Sequence, residues 1–109
     1  MPHLRFRGVE QSRLKEISKG LVDELSELLE SGRDHFTLEC IESAFVFDGA
    51  NVKPEPMIEV LWFPRPQDTQ DKFANIVTQA LKQAGETQEI AVFFVTLTPS
   101  AYYDEGQHY

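Results

Sequence analysis

The chain has 109 residues, of which 41% are hydrophobic, and it carries a formal net charge of −8. This length and composition predict a single folded domain with a packed core and exclude a largely disordered chain. The negative charge argues against a nucleic-acid-binding surface, and the sequence has no run of about 20 apolar residues that would predict a membrane span. The only cysteine is Cys40, so no disulfide framework is expected. We expect a cytoplasmic protein.

The first half of the chain predicts a strand, a helix and a second strand. Apolar and polar side chains alternate from His3 to Arg7, which indicates a strand with two unlike faces. A helix follows, because apolar residues recur at helical spacing: Leu14, Ile17, Leu21, Leu25, Leu28 and Leu29. We expect this helix to end at Gly32. The second strand is predicted from Phe36 to Phe47, with a bend near Asp48-Gly49.

The second half repeats this order after an extended connector, Lys53-Pro54-Glu55-Pro56. Residues 57–63 predict a strand, and Pro64-Arg65-Pro66 predicts a stiff turn. Asp68 or Thr69 is expected to cap the second helix, and Gly85 is expected to end it. The last strand, residues 89–97, is rich in β-branched and aromatic side chains.

The repeated order indicates an internal duplication of a βαβ unit. The two units cover about residues 2–47 and 57–97, the glycines that end the helices lie 53 positions apart (85 − 32), and residues 98–109 form a polar tail. Each unit should pair its strands in parallel through a right-handed crossover, which places both helices on one sheet face. The predicted fold is therefore a single α/β (α+β) domain with a four-stranded mixed sheet and two helices on one face.

Strand alternation places charged and apolar side chains together on the sheet face away from the helices. Arg5, Arg7, Glu39 and Glu59 fall on this face. A face of this kind suits a subunit interface in which the arginines meet the carboxylates. A solvated sheet face is the alternative, and the residues themselves leave both open.

Pro2 opens the first strand. A small residue after Met1 normally allows that methionine to be removed, and the new terminus would then be a secondary amine at the edge of the core. Such an amine is suited to act as a general base, because α-amino groups titrate near roughly 7.7–8.0 and burial disfavours their charged form. The alternative is that proline only protects the terminus.

Pro2 and the duplicated unit together resemble the tautomerase superfamily, in particular the group of macrophage migration inhibitory factor and 5-carboxymethyl-2-hydroxymuconate isomerase. Within it, the chain looks most like a small bacterial branch that begins Met-Pro-His-Leu-Arg-Phe-Arg-Gly. The resemblance implies a homotrimer with active sites at subunit boundaries. It also implies that Pro2 is the general base.

Four further residues become candidates for substrate binding through this resemblance. Arg33, in the turn Ser31-Gly32-Arg33-Asp34, stands where longer members have a lysine, and its planar fork suits a carboxylate. Its alternative role is to stabilise the end of the helix. Arg65 is either a second anion holder or an exposed turn residue. Phe93 and Tyr102 would form part of an apolar wall, although Phe93 also suits the core.

The sequence therefore predicts a tautomerase or isomerase that moves a proton between positions of a small carbonyl acid, without a cofactor. The three histidines are scattered without ligand spacing, so no metal site is expected. A non-catalytic ferredoxin-like binding or regulatory module is the alternative, since βαβ duplications also build small binding domains. A tautomerase fold that has lost its activity is a third reading.

Overall fold

The computed structural model describes residues 1–109. Its strands and helices are, in chain order, β1 (His3–Arg7), α1 (Gln11–Leu29), β2 (Thr37–Ile41), β3 (Phe45–Phe47), β4 (Ala50–Val52), β5 (Met57–Trp62), α2 (Gln67–Gln83), β6 (Ala91–Thr96), β7 (Tyr103–Asp104) and β8 (Gln107–His108). Short 3-10 helices lie at Arg33–His35 and Pro99–Ala101. None of the helices combines the length and the apolar character that crossing a membrane requires.

The main sheet has the strand order β2-β1-β5-β6. β1 pairs in parallel with β2, β5 pairs in parallel with β6, and the two βαβ units join through the antiparallel pair β1–β5. This arrangement confirms the predicted four-stranded mixed sheet. Because β1 and β5 are antiparallel, the beginning of β1 lies beside the end of β5.

The core lies between the sheet and both helices. Alternate strand residues point into it, since successive side chains of a strand face opposite sides. The buried hydrophobic residues are Leu4, Phe6, Val9, Leu14, Leu21, Leu25, Leu29, Phe36, Ile58, Val60, Trp62, Phe73, Val77 and Leu81. The Trp62 ring packs on Phe73 and Phe94 at centroid distances of 5.2 and 4.6 Å. The helix-facing side of the sheet is therefore continuous and apolar.

The predicted strand from Phe36 to Phe47 was wrong in its extent. β2 ends at Ile41, whose register partner Arg7 is the last residue of β1, so a longer β2 would have no neighbour on that side. The chain then forms a separate hairpin of β3 and β4. Asp48 (φ 52°) and Gly49 (φ 75°) make its two-residue turn, and two positive φ values in succession are typical of a type I′ hairpin.

Two predicted helix boundaries also differ from the structure. In α1 the left-handed residue is Glu30 (φ 51°), whereas Gly32 has φ −64° and lies beyond the helix. α2 begins at Gln67 with Pro66 at the N-cap position, so neither Asp68 nor Thr69 is the cap. The expected end of α2 is confirmed, because Gly85 adopts φ 102° directly after Ala84.

The polar tail has a defined structure. Tyr103–Asp104 pairs with Gln107–His108 in a second small hairpin. The N–H of Tyr109 donates to the carbonyl of Tyr102 at 3.1 Å, which closes the tail upon itself.

Candidate active site

Pro2 is fixed at one end of the main sheet. Its side chain is among the fully buried ones, and its carbonyl accepts a hydrogen bond from the N–H of Thr37 at 3.3 Å. The residue therefore stands between the start of β1 and the start of β2, with its ring against the core. Removal of Met1 would leave the amine at a position that the fold already holds.

The antiparallel pairing of β1 with β5 brings the turn after β5 to the same place. His3 is the register partner of Leu61, so the chain N-terminal to His3 runs beside the segment that continues from Trp62 to Arg65. The N–H of Leu97 donates to the carbonyl of Trp62 at 2.7 Å, which ties the start of the tail to this turn. We call this region the Pro2 end of the sheet: residues 1–2, 63–65, 97 and 102–104.

The charge environment of the N-terminal amine links Arg65 and Asp104 to the Pro2 end of the sheet. In the present chain this amine belongs to Met1. Burial lowers its pKa below the ordinary value of 8.0, the positive charge of Arg65 lowers the pKa further, and the negative charge of Asp104 partly opposes both effects. The nitrogen of Pro2 is in a peptide bond while Met1 is attached and cannot act as a base. The surroundings nevertheless favour a neutral amine at this terminus.

Tyr102 belongs to an aromatic cluster beside Arg65. Its ring packs edge-on against Phe63 at 5.3 Å and against Tyr109 at 5.1 Å, and Phe63 and Tyr109 stack at 5.3 Å. Phe63 lies two residues before Arg65, and Tyr102 lies two residues before Asp104. The cluster therefore anchors the tail against the turn that carries Arg65, and it places apolar surface at the Pro2 end of the sheet.

The contacts of Arg33 are made with α1. Its guanidinium forms an ion pair with Asp23 and donates to the carbonyl of Lys19 at 3.3 Å. Both groups are about half exposed. The structure therefore uses this arginine to tie the 3-10 helix to α1, and its role in holding an anion stays a prediction.

Phe93 lies on the open face of the sheet, the side away from the helices, and is 38% exposed. It is the register partner of Glu59, whereas its neighbour Phe94 turns into the core and packs 5.6 Å from Phe73. Phe93 is thus available for contact with another molecule. β5 lies between its strand and β1, the strand that Pro2 precedes.

Charged side chains form a network across the same open face. Arg5 lies 3.3 Å from both Glu39 and Glu59, and Arg7 lies 3.5 Å from Glu59. His3 Nε2 lies 2.9 Å from Glu39 Oε1. The hydrogen bond from His3 is the main cause that lowers the pKa of Glu39, and Arg5 adds to it. The predicted arginine–carboxylate pairs therefore form within one chain, without a partner subunit.

A separate cavity lies at the other end of the sheet, beyond the ends of β1 and β2. It has a volume of about 820 Å³ and is lined mainly by polar residues, among them Arg13, Lys53 and Glu86. Arg13 and the nearly buried Glu86 form an ion pair at 3.2 Å that joins α1 to the loop after α2. This cavity contains none of the residues predicted for the site. No group of three or more His, Cys, Asp or Glu side chains is arranged to hold a metal ion.

Two residues at the Pro2 end of the sheet were not predicted from the sequence. Phe63 could have been suspected because it directly precedes the Pro-Arg-Pro turn. Asp104 had no signal in the sequence, since it lies in a polar tail beside a second acidic residue, Glu105.

Comparison with known proteins identifies the family. Residues 1–108 match the family model described as a domain of unknown function, DUF1904. The chain belongs to the DUF1904 family. A crystal structure of a DUF1904 domain from Sebaldella termitidis is 37% identical with a TM-score of 0.94, and the match covers 100% of both chains. No curated protein matches the sequence.

More distant solved structures share the fold of this DUF1904 chain. The macrophage migration inhibitory factor-like protein of Entamoeba histolytica is 17% identical with a TM-score of 0.75, over 99% of this chain and 98% of the other. Pt0534, solved after inactivation by 2-oxo-3-pentynoate, is 10% identical with a TM-score of 0.79, over 97% and 94%. These likenesses confirm the predicted tautomerase-type fold.

Proposed function

We propose that this protein is a tautomerase-type isomerase that uses Pro2, after removal of Met1, as a general base on a small carbonyl acid. The observation that carries the proposal is the position of Pro2, which is buried and fixed at the start of β1 in a tautomerase-type fold. A homotrimer with the sites at subunit boundaries is part of the proposal. It would bring residues of a second copy to the Pro2 end of the sheet.

The charge environment supports this chemistry. Burial and the positive charge of Arg65 both lower the pKa of the Met1 amine, and we expect the same surroundings to keep more of the Pro2 amine neutral near pH 7 once Met1 is removed. A neutral amine can take a proton from the carbon beside a carbonyl group, while the electron pair of that C–H bond moves toward the carbonyl oxygen. The resulting ammonium then returns a proton to another position of the same substrate, which leaves the base as it began.

Arg65 is the better placed of the two candidate anion holders. Its charge acts on the N-terminal amine, whereas Arg33 is paired with Asp23. A substrate carboxylate bound at Arg65 would place its carbonyl group close to Pro2. Tyr102 would form part of the apolar wall in the same chain, and Phe93 would take part only from a neighbouring copy.

The decisive assay compares three forms of the chain. These are the protein with Met1 removed, verified by intact mass, the Pro2→Ala variant, and a form in which Met1 is retained. Ketonisation of 2-hydroxymuconate and tautomerisation of phenylpyruvate are followed by absorbance. We expect activity in the first form, a loss of about 100-fold or more in Pro2→Ala, and none in the third. Equal rates in all three would overturn the proposal.

A covalent probe gives a second readout that does not require the physiological substrate. 2-Oxo-3-pentynoate, which inactivated Pt0534, carries an alkyne conjugated to a ketone. A neutral amine adds to this alkyne, forming an N–C bond while a proton moves to the neighbouring carbon, and nothing leaves. We expect one added probe mass on the Pro2 peptide of the processed protein and none when Met1 is retained. Unlabelled Pro2 together with equal rates would favour a non-catalytic binding module.

A further inference from the structure

The start of β1 must be held in place if Pro2 is to act as a base. Once Met1 is removed, Pro2 is the first residue of the chain, and terminal residues are poorly ordered unless contacts tie them down. The Pro2 carbonyl accepts a hydrogen bond from the N–H of Thr37 at 3.3 Å. This bond joins the residue before β1 to the first residue of β2, so the position of Pro2 depends on how firmly Thr37 is held.

Thr37 is held in turn by His3, the residue that follows Pro2. His3 and Thr37 are register partners in the parallel pair of β1 and β2, and both side chains lie on the open face of the sheet. The Thr37 hydroxyl oxygen lies 2.6 Å from His3 Nδ1. The backbone bond and the side-chain bond therefore close a ring through Pro2, His3 and Thr37. Breaking the side-chain bond opens this ring beside the proposed base.

Glu39 fixes the orientation and the tautomer of His3. His3 Nε2 lies 2.9 Å from Glu39 Oε1. The hydrogen bond from His3 lowers the pKa of the Glu39 carboxyl, so this group is ionised at neutral pH and can only accept hydrogen bonds. In a neutral His3, Nε2 therefore carries the proton and Nδ1 accepts a hydrogen bond from the Thr37 hydroxyl. We call the side chains of His3, Thr37 and Glu39 the His3 network.

Arg5 connects the His3 network to the middle of the sheet. Its Nε lies 3.3 Å from Glu39 Oε1, and its Nη1 lies 3.3 Å from Glu59 Oε1 on β5. The contacts thus span β2, β1 and β5, which are adjacent strands. The side chain of His3 is 26% exposed and that of Glu39 is 47% exposed, so these bonds compete with water and each adds little to the free energy of unfolding. We therefore expect the loss of one of them to change the position of Pro2 more than the stability of the fold.

We propose that His3 and Thr37 are positioning residues, which hold the Pro2 nitrogen where it meets the substrate. The inference rests on the proposed function and adds two residues to it. Both side chains lie on the open face, whereas the Pro2 side chain is buried, so they act through the backbone of Pro2 and not by contact with the substrate. A displacement of about 1 Å in a reacting group can lower a rate by about 100-fold, so small changes in this ring should be visible in kcat.

The first test compares two substitutions of Thr37 in the protein with Met1 removed. Thr37→Val removes the hydroxyl and keeps the β-branched shape, whereas Thr37→Ser keeps the hydroxyl. We expect Thr37→Val to lower kcat by about 10-fold with little change in KM, and Thr37→Ser to restore most of the rate. Thr87→Val, at an exposed threonine of the loop after α2, is the control and should keep the wild-type rate. Circular dichroism checks that each variant is folded.

A double-mutant cycle tests whether His3 and Thr37 act as a unit. His3→Phe removes both ring nitrogens and should lower kcat by as much as Thr37→Val does. Because both substitutions open the same ring, the double variant should be no slower than either single variant. Losses that multiply in the double variant would show independent effects and would overturn the inference.

Hydrogen exchange follows the backbone bond without a substrate. NMR measures the protection of the N–H of residue 37, which donates to Pro2. We expect this protection to fall by about 10-fold in His3→Phe and in Thr37→Val, while the N–H groups of β5 keep theirs. Unchanged protection in both variants, or an unchanged kcat in Thr37→Val, would contradict the positioning role.

These outcomes separate the inference from the proposed function. Pro2-dependent activity that survives in both Thr37→Val and His3→Phe would leave the function intact and refute the positioning role. If protection depends on the His3 network but neither activity nor labelling depends on Pro2, the network holds the chain terminus and the proposed function is wrong.

Discussion

Replacing Gly8 by alanine tests how closely the end of β1 approaches the connector before β5. Gly8 has φ 74°, a conformation that costs other residues about 1–2 kcal/mol. A methyl group there would also lie 2.0 Å from the carbonyl oxygen of Glu55, far inside contact distance, so backbone must move. Overpacking of this kind costs about 1–3 kcal/mol. We therefore expect Gly8→Ala to lower the free energy of unfolding by about 2–5 kcal/mol.

Substitutions at two other glycines distinguish the cost of backbone strain from the cost of a steric clash. Gly49 has φ 75° but nothing lies within 4 Å of an added methyl group, so Gly49→Ala should cost only the strain, about 1–2 kcal/mol. Gly20 is inside α1 with open space and a helical conformation, so Gly20→Ala should stabilise by about 0.5–1 kcal/mol. The three substitutions add the same atoms. We expect Gly8→Ala to be the most destabilising, Gly49→Ala to be less so, and Gly20→Ala to be stabilising.

Equilibrium unfolding in urea measures all three variants through one fluorescent residue. Trp62 is the only tryptophan and is 1% exposed, so its emission should report loss of the core. Protein concentration is kept constant, because association would stabilise the folded state. If Gly8→Ala costs no more than Gly49→Ala, the close approach to Glu55 is wrong.

Three further predictions concern charge. In the protein with Met1 removed, Arg65→Gln should raise the pKa of the terminal amine and Asp104→Asn should lower it. The pH dependence of acylation of the amine measures both changes. An unchanged pKa in both variants would show that neither side chain is close enough to the amine to affect it. The pKa of Glu39 is lowered in the folded state, so this residue stabilises the fold above its ordinary value of 4.5, and the benefit disappears as pH falls through the folded pKa. Glu39→Gln should therefore lose less stability than the wild type as the pH falls below 5. The same fall in melting temperature with pH in both proteins would contradict this. Burial raises the pKa of the Cys40 thiol, so the folded protein should react with a disulfide reagent at pH 8 more slowly than the urea-unfolded chain; equal rates would show an open thiol.

Much of the fold could be predicted because the relevant signals are local. Apolar periodicity indicated both helices and the four main strands, and the duplication gave their parallel pairing and the common face of the helices. The ends of these elements were less accurate. β2 stops at Ile41 because β1 stops at Arg7, and that limit depends on a partner that is distant in sequence.

The candidate site was predictable in part. Pro2 and Arg65 were selected from the sequence, and the structure brings the charge of Arg65 to the terminal amine. Arg33 was selected for the same purpose, but it pairs with Asp23 on the neighbouring helix. The residues around Arg33 in the sequence are compatible both with binding an anion and with pairing with Asp23. The packing of the 3-10 helix against α1 determines that it pairs with Asp23.

The sequence by itself determined that this chain forms two βαβ units with a proline at the start of the first strand. Those features depend on side-chain periodicity and on the conformations that glycine and proline allow, which act over a few residues. Only the tertiary structure brought the charge of Asp104 to the terminal amine, packed Phe63 against Tyr102, turned Phe94 into the core and Phe93 away from it, and folded residues 45–52 into a hairpin that pairs with no strand of the main sheet. These outcomes depend on strand register and chain packing, because contacts between distant segments form only when the whole sheet is assembled.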